Sequence, residues 1–265
     1  MPEGGCHRVE QVMGTAISVD VRDTSTSPSA LDELFAWFRH VDETFSTYKA
    51  DSQVSRLGRG EIAVADCDPD VGWVLERCEE IRRATGGYFD AWASERFDPS
   101  GLVKGWSVEV ASGMLVERGS TNHCINAGGD IRLRGEPEPG RPWHAAIAHP
   151  LVPGGLTVVV AGRDLAVATS GTAERGLHVI DPLGGRPTAA LASVTVVGPE
   201  LALTDSFATA AVAMGLDAPQ WLDGLEDHDA YVVDAGGRVW WTAGFARYAP
   251  ALATTPQPRL AHNAT

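Results

Sequence analysis

The chain has 265 residues, and its 35 acidic side chains against 21 lysines and arginines give a formal charge of −14 at neutral pH. Such an acidic protein is excluded as a general binder of nucleic acids or other polyanions. A hydrophobic fraction of 44% with 21% charged residues is sufficient for a buried core and argues against a disordered chain.

The sequence carries no pattern of export or membrane insertion. Residues 1–6 include an acidic residue and no apolar stretch, unlike a signal peptide. The nearly apolar stretch over residues 207–216 is far shorter than the roughly 20 residues that span a bilayer. Four cysteines are scattered, at Cys6, Cys67, Cys78 and Cys124. They form no CxxC pair, which argues against a zinc site or a disulfide framework. We therefore predict a cytoplasmic protein with reduced thiols.

The first third of the chain predicts a pair of strands and a helix. Residues 8–22 alternate between apolar and polar side chains around Gly14, which predicts two short strands or one bulged strand at a sheet edge. A helix capped at Ser29 follows, because apolar residues recur with helical spacing after it. Trp37 and Arg39 are predicted to point outward from this helix.

The remaining elements alternate irregularly between helices and strands. A second helix begins at Asp68 and ends at residues 86–87, and a third begins at Gly105. Residues 204–214 predict an Ala-rich helix, and residues 230–242 predict a closing hairpin. Short strands are predicted at 124–125, 145–148, 157–160, 165–168, 179–180 and 193–197.

The order of elements contains no linker and no repeat. A single domain is therefore predicted over residues 1–247. Residues 248–265 have no apolar period and include two prolines close together, so a mobile C-terminal tail is predicted there.

The segment at residues 98–105 combines a carboxylate, a flexible backbone and Lys104 directly before the predicted third helix. Free N–H groups and the helix dipole favour an anion at such a position. The spacing matches neither a Walker loop nor a GxGxxG motif. Taken alone, a loop with a solvated lysine explains this segment slightly better than an anion site.

Two further polar segments follow strands. The glycines in residues 126–130 allow a close approach to a ligand, and a simple hairpin turn explains them equally well. Residues 168–171 form a hydroxyl-rich turn before His178. A serine hydrolase is not supported, because no GxSxG motif is present and the spacing defines no triad. A histidine that caps a strand is the common alternative.

Asp205 and Thr209 lie four positions apart in the predicted Ala-rich helix, so they share one helix face. Carboxylate and hydroxyl oxygens at this spacing suit Mg²⁺, which takes its remaining ligands from phosphate and water. Helix capping near Thr204 is an alternative explanation for both residues.

In their order along the chain, these segments resemble the FAD:protein FMN transferases of the ApbE flavin transferase family. The resemblance is carried by MGT at 13–15, FSTY at 45–48, SQVSRL at 52–57, GYFD at 87–90, KG at 104–105, NAGGD at 126–130, ATSG at 168–171, HVIDP at 178–182 and DSFAT at 205–209. It covers nearly the whole chain. Two departures stand out: only seven residues separate Asp90 from Asp98, and Glu109 replaces a more usual aspartate.

The resemblance implies an α+β fold, a single domain with mixed or antiparallel sheets and packed helices. It also implies Mg²⁺ and FAD as the donor substrate, from which FMN passes to a Ser or Thr hydroxyl of an acceptor flavoprotein with release of AMP. The implied FAD contacts are Met13, Tyr48, Tyr88, Phe89, Asp90, Asp98, Lys104, Ser170 and Val179. The implied metal ligands are the Gly101 carbonyl, Asp205 and Thr209. His178 would be the general base, and Lys104 would stabilise charge in the transition state.

The sequence leaves two alternatives open. The same centre could hydrolyse FAD to FMN and AMP, with water in place of the protein hydroxyl. The chain could also bind FAD without turnover, although a passive binder needs neither a base nor metal ligands.

Overall fold

The computed structural model describes residues 5–93, 96–171 and 179–252. Its strands are β1 (Cys6–Val12), β2 (Thr15–Val21), β3 (His123–Ala127), β4 (Asp130–Arg134), β5 (Trp143–Ala148), β6 (Leu156–Gly162), β7 (Leu165–Gly171), β8 (Ile180–Asp181), β9 (Arg186–Pro187), β10 (Leu191–Gly198), β11 (Asp229–Asp234) and β12 (Val239–Trp241). Its helices are α1 (Pro28–Phe45), α2 (Gln53–Gly58), α3 (Pro69–Ala84), α4 (Ser100–Glu117), α5 (Leu201–Met214) and α6 (Ala218–Leu222). Short 3₁₀ turns lie at Val64–Asp66, Gly215–Asp217, Phe245–Arg247 and Pro250–Leu252.

An eight-stranded antiparallel sheet forms the centre of the fold. Its order is β1-β2-β3-β4-β7-β10-β11-β12, and its two ends are hairpins. Alternate residues of each strand point to opposite faces, so the sheet separates two apolar clusters. The helices cover one face, and the separate hairpin β5–β6 covers the other through Trp143, Ile147 and Val160. The predicted α+β class with antiparallel strands is confirmed.

The first helix differs from its prediction in two respects. It is capped at Ser27, whose Oγ accepts a hydrogen bond from the Ser29 backbone N–H at 3.3 Å, and Pro28 occupies the first turn. The predicted outward position of Trp37 is wrong. Its indole N–H donates to the Ser107 carbonyl at 3.0 Å, and its ring meets Trp106 edge-on, because α4 crosses this side of α1.

The third predicted helix begins five residues earlier than Gly105. Helix α4 starts at Ser100, whose backbone N–H donates to the Asp98 carboxylate at 3.0 Å. Residues 100–105 are therefore helical, and the predicted loop before the helix is wrong. Glycine has a low helix propensity, so the spacing of apolar residues did not predict a helix over this segment.

The other predicted strands and helices are close to their predicted positions, whereas α2, α6 and β9 were not predicted. The two glycines between β3 and β4 both have positive φ, Gly128 at +61° and Gly129 at +101°, as a tight hairpin turn requires. Asn126 accepts the Gly129 N–H through its side-chain oxygen at 2.8 Å. Strand β4, which follows this turn, was not predicted.

Packing extends beyond the predicted end of the domain at residue 247. The Tyr248 carbonyl accepts a hydrogen bond from the Ala161 N–H at 2.7 Å, and Ala249 is fully buried. These contacts hold residues 248–252 against the hairpin side of the sheet. The rest of the predicted tail, residues 253–265, lies outside the described residues, so its mobility stays a prediction. Across the described ranges, no helix is both long and apolar enough to span a bilayer.

Candidate active site

A cavity of about 1010 Å³ lies between the helices and the β5–β6 hairpin. It is lined by the end of α1, the first turns of α4, the middle of α5, the end of β7 and the strand β5. Its volume is at the upper end of the range of about 300–1,000 Å³ that is typical of ligand pockets. It is therefore large enough for a ligand of dinucleotide size.

The residues implied as FAD contacts all line this cavity. They are Met13, Tyr48, Tyr88, Phe89, Asp90, Asp98, Lys104, Ser170 and Val179. The implied metal ligands Gly101, Asp205 and Thr209 line it as well. His178 lies outside the described residues, so its role as a base stays a prediction. The fold thus brings together residues from seven separate segments of the chain.

Close packing of α4 against α5 brings the three implied metal ligands together. A Cβ at Gly105 would lie 2.5 Å from the Leu201 carbonyl oxygen and 3.0 Å from Asp205 Cβ. Only glycine fits here, and the Gly105 N–H donates to Asp205 Oδ2 at 3.1 Å. One turn earlier, a Cβ at Gly101 would lie 3.5 Å from Thr209 Oγ1. The absence of two side chains on α4 therefore allows the polar face of α5 to approach its backbone.

Asp205 and Lys104 line the floor of the cavity, and a second carboxylate, that of Asp130, contacts Lys104 without lining the cavity. Asp130 and Asp205 are buried, and Lys104 Nζ lies 2.5 Å from Asp130 Oδ2. Burial raises the pKa of Asp205 well above its ordinary value, and the neighbouring Asp130 raises it further, while Lys104 opposes this rise. Among the described residues, Lys104 is paired with Asp130, so the ionised form of Asp205 is disfavoured unless a further cation is bound.

The oxygen atoms at the floor suit a hard divalent cation. The Asp205 carboxylate, the Thr209 hydroxyl and the Gly101 carbonyl are all oxygen donors, which is the ligand type that Mg²⁺ prefers. Thr209 Oγ1 and Ser170 Oγ are 3.1 Å apart, so the end of β7 fixes the hydroxyl. The Gly101 carbonyl accepts a hydrogen bond from Ser206 Oγ at 3.2 Å. These residues could hold a metal ion between α4 and α5.

Aromatic side chains occupy the side of the cavity near α1 and the segment after α3. Tyr48 is 91% exposed although it lines the cavity, whereas Phe89 is buried. The Phe89 backbone N–H donates to Thr85 Oγ1 at 3.0 Å, which fixes this segment at the end of α3. An exposed aromatic ring beside a buried one offers a flat surface for a ring system of a ligand.

The start of α5 is anchored by Glu109. Its Oε2 accepts the Leu201 N–H at 2.8 Å, and its Oε1 accepts from Arg132 Nε at 3.0 Å. Burial lowers the pKa of Arg132, which is only 2% exposed, and Glu109 partly compensates for this burial. Glu109 therefore positions the helix that carries Asp205. Its position four residues after Gly105, on the same face of α4, is the sequence feature that could have indicated this role.

Sequence reasoning missed the wall that the hairpin provides. Residues 146–150 line the cavity from β5 and the turn after it. Residues 145–148 were predicted as a strand, but their place beside the site depends on tertiary packing. Lys49 also lines the cavity and pairs with Asp42, near the end of α1.

One other cluster in the described residues has the composition of a metal site. His40, Asp68 and Asp70 place one potential ligand atom each within 4.8 Å of one another. All three are partly exposed, and Asp68 also caps α3 by accepting the Asp70 N–H at 3.0 Å. Helix capping accounts for the Asp68 carboxylate.

Comparison with protein families gives a match to the model described as "ApbE family", over residues 13–95 and 92–232. Two curated relatives are both named FAD:protein FMN transferase. The protein from Vibrio cholerae serotype O1 is 36% identical over 128 residues, which are 44% of this chain and 38% of that relative. The protein from Haemophilus influenzae is 25% identical over 276 residues, which cover 78% of this chain and 80% of the relative.

Solved structures share the fold along nearly the whole chain. The flavin transferase ApbE from Vibrio cholerae superposes with a TM-score of 0.81 at 21% identity, covering 93% of this chain and 100% of that one. The ApbE protein from Thermotoga maritima gives a TM-score of 0.83 at 18% identity, with 92% and 99% covered. At these identities the likeness shows the architecture, a mixture of helices and antiparallel sheet in one domain.

Proposed function

The chain belongs to the ApbE family, and we propose that it transfers FMN from FAD to a Ser or Thr hydroxyl of an acceptor flavoprotein in a reaction that needs Mg²⁺ and releases AMP. It is an enzyme of the class that its curated relatives are named for, FAD:protein FMN transferase. The metal, the leaving group and the type of acceptor hydroxyl are the parts of this proposal that experiments must establish.

The arrangement of Gly101, Asp205 and Thr209 is the observation that supports the proposal most. All three residues line a dinucleotide-sized cavity where α4 packs against α5, beside a second buried carboxylate, Asp130. Two ionised carboxylates buried next to one another are costly without a further cation, and Lys104 is paired with Asp130. Residues of this chemistry fit Mg²⁺.

Charge along the cavity wall supports the proposal that a metal accompanies the phosphate substrate. Asp42, Asp90, Asp98 and Asp205 line the cavity against Lys49 and Lys104. Both lysines already contact carboxylates, Lys49 that of Asp42 and Lys104 that of Asp130. A pyrophosphate that enters this field is repelled unless a cation accompanies it. When bound, Mg²⁺ supplies positive charge at the phosphate oxygens, where charge develops during phosphoryl transfer.

The residues of the chain account for binding and proton transfer. Tyr48 and Phe89 would offer aromatic surface to the flavin or adenine ring, and Lys104, which lines the cavity, would supply an ammonium group to the phosphates. The acceptor hydroxyl oxygen forms a bond to the phosphorus of the FMN half, and the bond from that phosphorus to AMP breaks, with its electron pair leaving on AMP. The hydroxyl proton passes to His178 in this proposal, a step that is typically worth about 10²–10⁴-fold.

The proposal is tested with the purified protein, FAD and a cell extract of the organism that makes it, with and without Mg²⁺. We expect AMP to form only with Mg²⁺, and peptide mass spectrometry to find FMN on a Ser or Thr side chain. AMP with free FMN and no protein adduct would instead support FAD hydrolysis. Tight FAD binding with no AMP would support a binding module and overturn the proposal.

A further inference from the structure

The β5–β6 hairpin has one face buried and one exposed. Trp143, Ala145 and Ile147 alternate inward along β5 and are buried, whereas Ala146 and Ala148 between them are exposed. Across the hairpin, Ala146 faces Val159 and Ala148 faces Leu156. Val159 is 42% exposed and Leu156 is 60% exposed. The outward side of the hairpin is therefore apolar at these four positions, and the exposed His144 lies on the same face at the start of β5.

This exposed apolar face is continuous with the cavity. Ala146 and Ala148 belong to the exposed face and also line the cavity. The apolar surface thus begins at the cavity and extends over Val159 and Leu156. Exposed apolar patches that adjoin a ligand site typically mark a surface for a second molecule.

Strand β5 is also an edge strand. In the part of the chain that the structure describes, β6 is the strand with which it pairs. An unpaired edge presents backbone N–H and C=O groups to which an extended peptide can add as a further strand. The alanines at 146 and 148 are small enough to leave room for such a peptide beside the cavity.

We propose that an extended segment of the acceptor flavoprotein adds to the outer edge of β5, with apolar side chains at alternate positions that extend over the small Ala146 and Ala148 toward Val159 and Leu156. This inference rests on the proposed function, because the acceptor hydroxyl must reach the phosphorus inside the cavity. A strand along β5 passes beside the cavity. Because successive side chains of a strand point to opposite faces, such a segment can place apolar side chains on the hairpin and direct the side chain with the hydroxyl toward the phosphates. Recognition by shape and apolar contact also suits a protein whose net charge of −14 would repel an acidic partner.

The test uses a library of short synthetic peptides, each with one central threonine and randomised flanks, incubated with FAD and Mg²⁺. Peptides that receive FMN from the wild-type enzyme are expected to carry apolar residues at alternate positions. Val159→Glu and Leu156→Glu are expected to reduce the labelling of these peptides about tenfold or more and to shift the labelled pool toward Lys and Arg. FAD affinity, measured by flavin fluorescence, is expected to stay unchanged, which shows that the cavity is intact.

Val9→Glu is the matched control, because Val9 is a 52% exposed valine on the β1–β2 hairpin, at one end of the eight-stranded sheet, and does not line the cavity. Labelling profiles that are the same for Val159→Glu and Val9→Glu would overturn the docking surface. So would a wild-type dimer that Val159→Glu turns into monomers with no change in labelling, since a second copy would then be the occupant. Val159→Ser replaces the glutamate variant if that variant does not fold.

Failure of the inference differs from failure of the proposed function. If the wild-type enzyme attaches FMN to a protein of the extract while the hairpin variants do so with an unchanged KM for that protein, the docking surface alone is wrong. If the wild-type enzyme attaches FMN to neither peptide nor protein, the transferase function is wrong and the docking surface with it.

Discussion

The two walls of the cavity differ in polarity and in exposure to solvent. The inner wall, formed by Gly101, Lys104, Asp205 and Thr209 of α4 and α5, is polar and lies where the two helices pack closely. The outer wall, formed by the β5–β6 hairpin, presents exposed apolar side chains and an edge of β5 that pairs with no other strand in the described ranges. Charges that act on a phosphate must be held fixed and away from water, whereas a surface for a partner must stay accessible. Changes to the inner wall should therefore affect the chemical step, and changes to the outer wall should affect acceptor binding.

Asp205→Asn gives the largest expected effect of an inner-wall change. It removes the carboxylate that we propose as a metal ligand, at nearly constant volume, so FMN transfer should fall by about a thousandfold or more. The metal-free protein should be as stable as the wild type or more stable, because asparagine replaces a carboxyl group whose ionised form is disfavoured by burial and by Asp130. Transfer rates and thermal melts with and without Mg²⁺ measure both effects.

Asp217→Asn, at an exposed position just after α5, is the control for this variant. It should change neither property. An Asp205→Asn enzyme that keeps Mg²⁺-dependent transfer would show that the carboxylate is not a metal ligand, and the difference between the walls would lose its chemical basis.

Glu109→Gln should destabilise the protein by about 3 kcal/mol, because it leaves the buried Arg132 guanidinium without its carboxylate partner. Transfer should also slow, since the Leu201 N–H loses a charged acceptor at the start of α5. Urea unfolding measures the change in free energy. Glu117→Gln, at the exposed end of the same helix, should be neutral. Equal stability of the two variants would mean that Glu109 does not anchor α5.

Gly105→Ala should destabilise the protein by about 1–3 kcal/mol, because the new Cβ would overlap the Leu201 carbonyl and press on Asp205. Gly113→Ala is the matched control on the same helix, where a Cβ meets no atom within 4 Å. That variant should gain up to about 1 kcal/mol, since alanine is the better helix former. Thermal melts compare the pair. If Gly105→Ala is also stabilising, the two helices are not packed as closely as described.

The buried His123 should make the free energy of unfolding depend on pH. It lies on β3 of the sheet and contacts α4, the helix that forms part of the inner wall. Burial lowers its pKa from 6.5 to about 4, and its ring nitrogens contact Ser112 Oγ at 2.8 Å and Ser120 Oγ at 3.0 Å. As the pH falls from about 6.5 toward about 4, the unfolded chain binds a proton that the folded chain does not. The free energy of unfolding should therefore fall by about 1–2 kcal/mol between pH 7 and pH 5.

Denaturant titrations at the two pH values measure this loss. It should be smaller in His123→Gln and unchanged in His144→Gln, whose side chain lies on the exposed face of β5. A loss of the same size in all three proteins would assign the pH dependence to other groups.

Local patterns were sufficient to predict much of the fold. Helix α3 was predicted from the Asp68 cap and the helical spacing that follows, because its ends and its apolar face are all encoded within a few residues of one another. The start of α4 was not predicted, since the glycines at 101 and 105 weaken the local helix signal. These glycines allow close contact with α5, which lies a hundred residues further along the chain. Trp37 was misplaced for the same reason, because its partners are on α4.

The candidate site shows the same division. Asp205 and Thr209 could be paired from sequence because their spacing fixes a shared helix face. The contact of Lys104 with Asp130 joins a helix to a strand, and no local spacing encodes it. For the outer wall only the strands were predicted, and not their place beside the cavity. The alternation of buried and exposed side chains along a strand indicates an exposed face but not what lies next to that face.

The metal position at the inner wall is tested most directly by a crystal structure of the protein with FAD and Mn²⁺, in which anomalous scattering locates the ion. We predict Mn²⁺ in direct contact with the Asp205 carboxylate, the Thr209 hydroxyl and an oxygen of the FAD pyrophosphate. Mn²⁺ bound only elsewhere, for example at His40, Asp68 and Asp70, with the pyrophosphate remote from α5, would contradict the account.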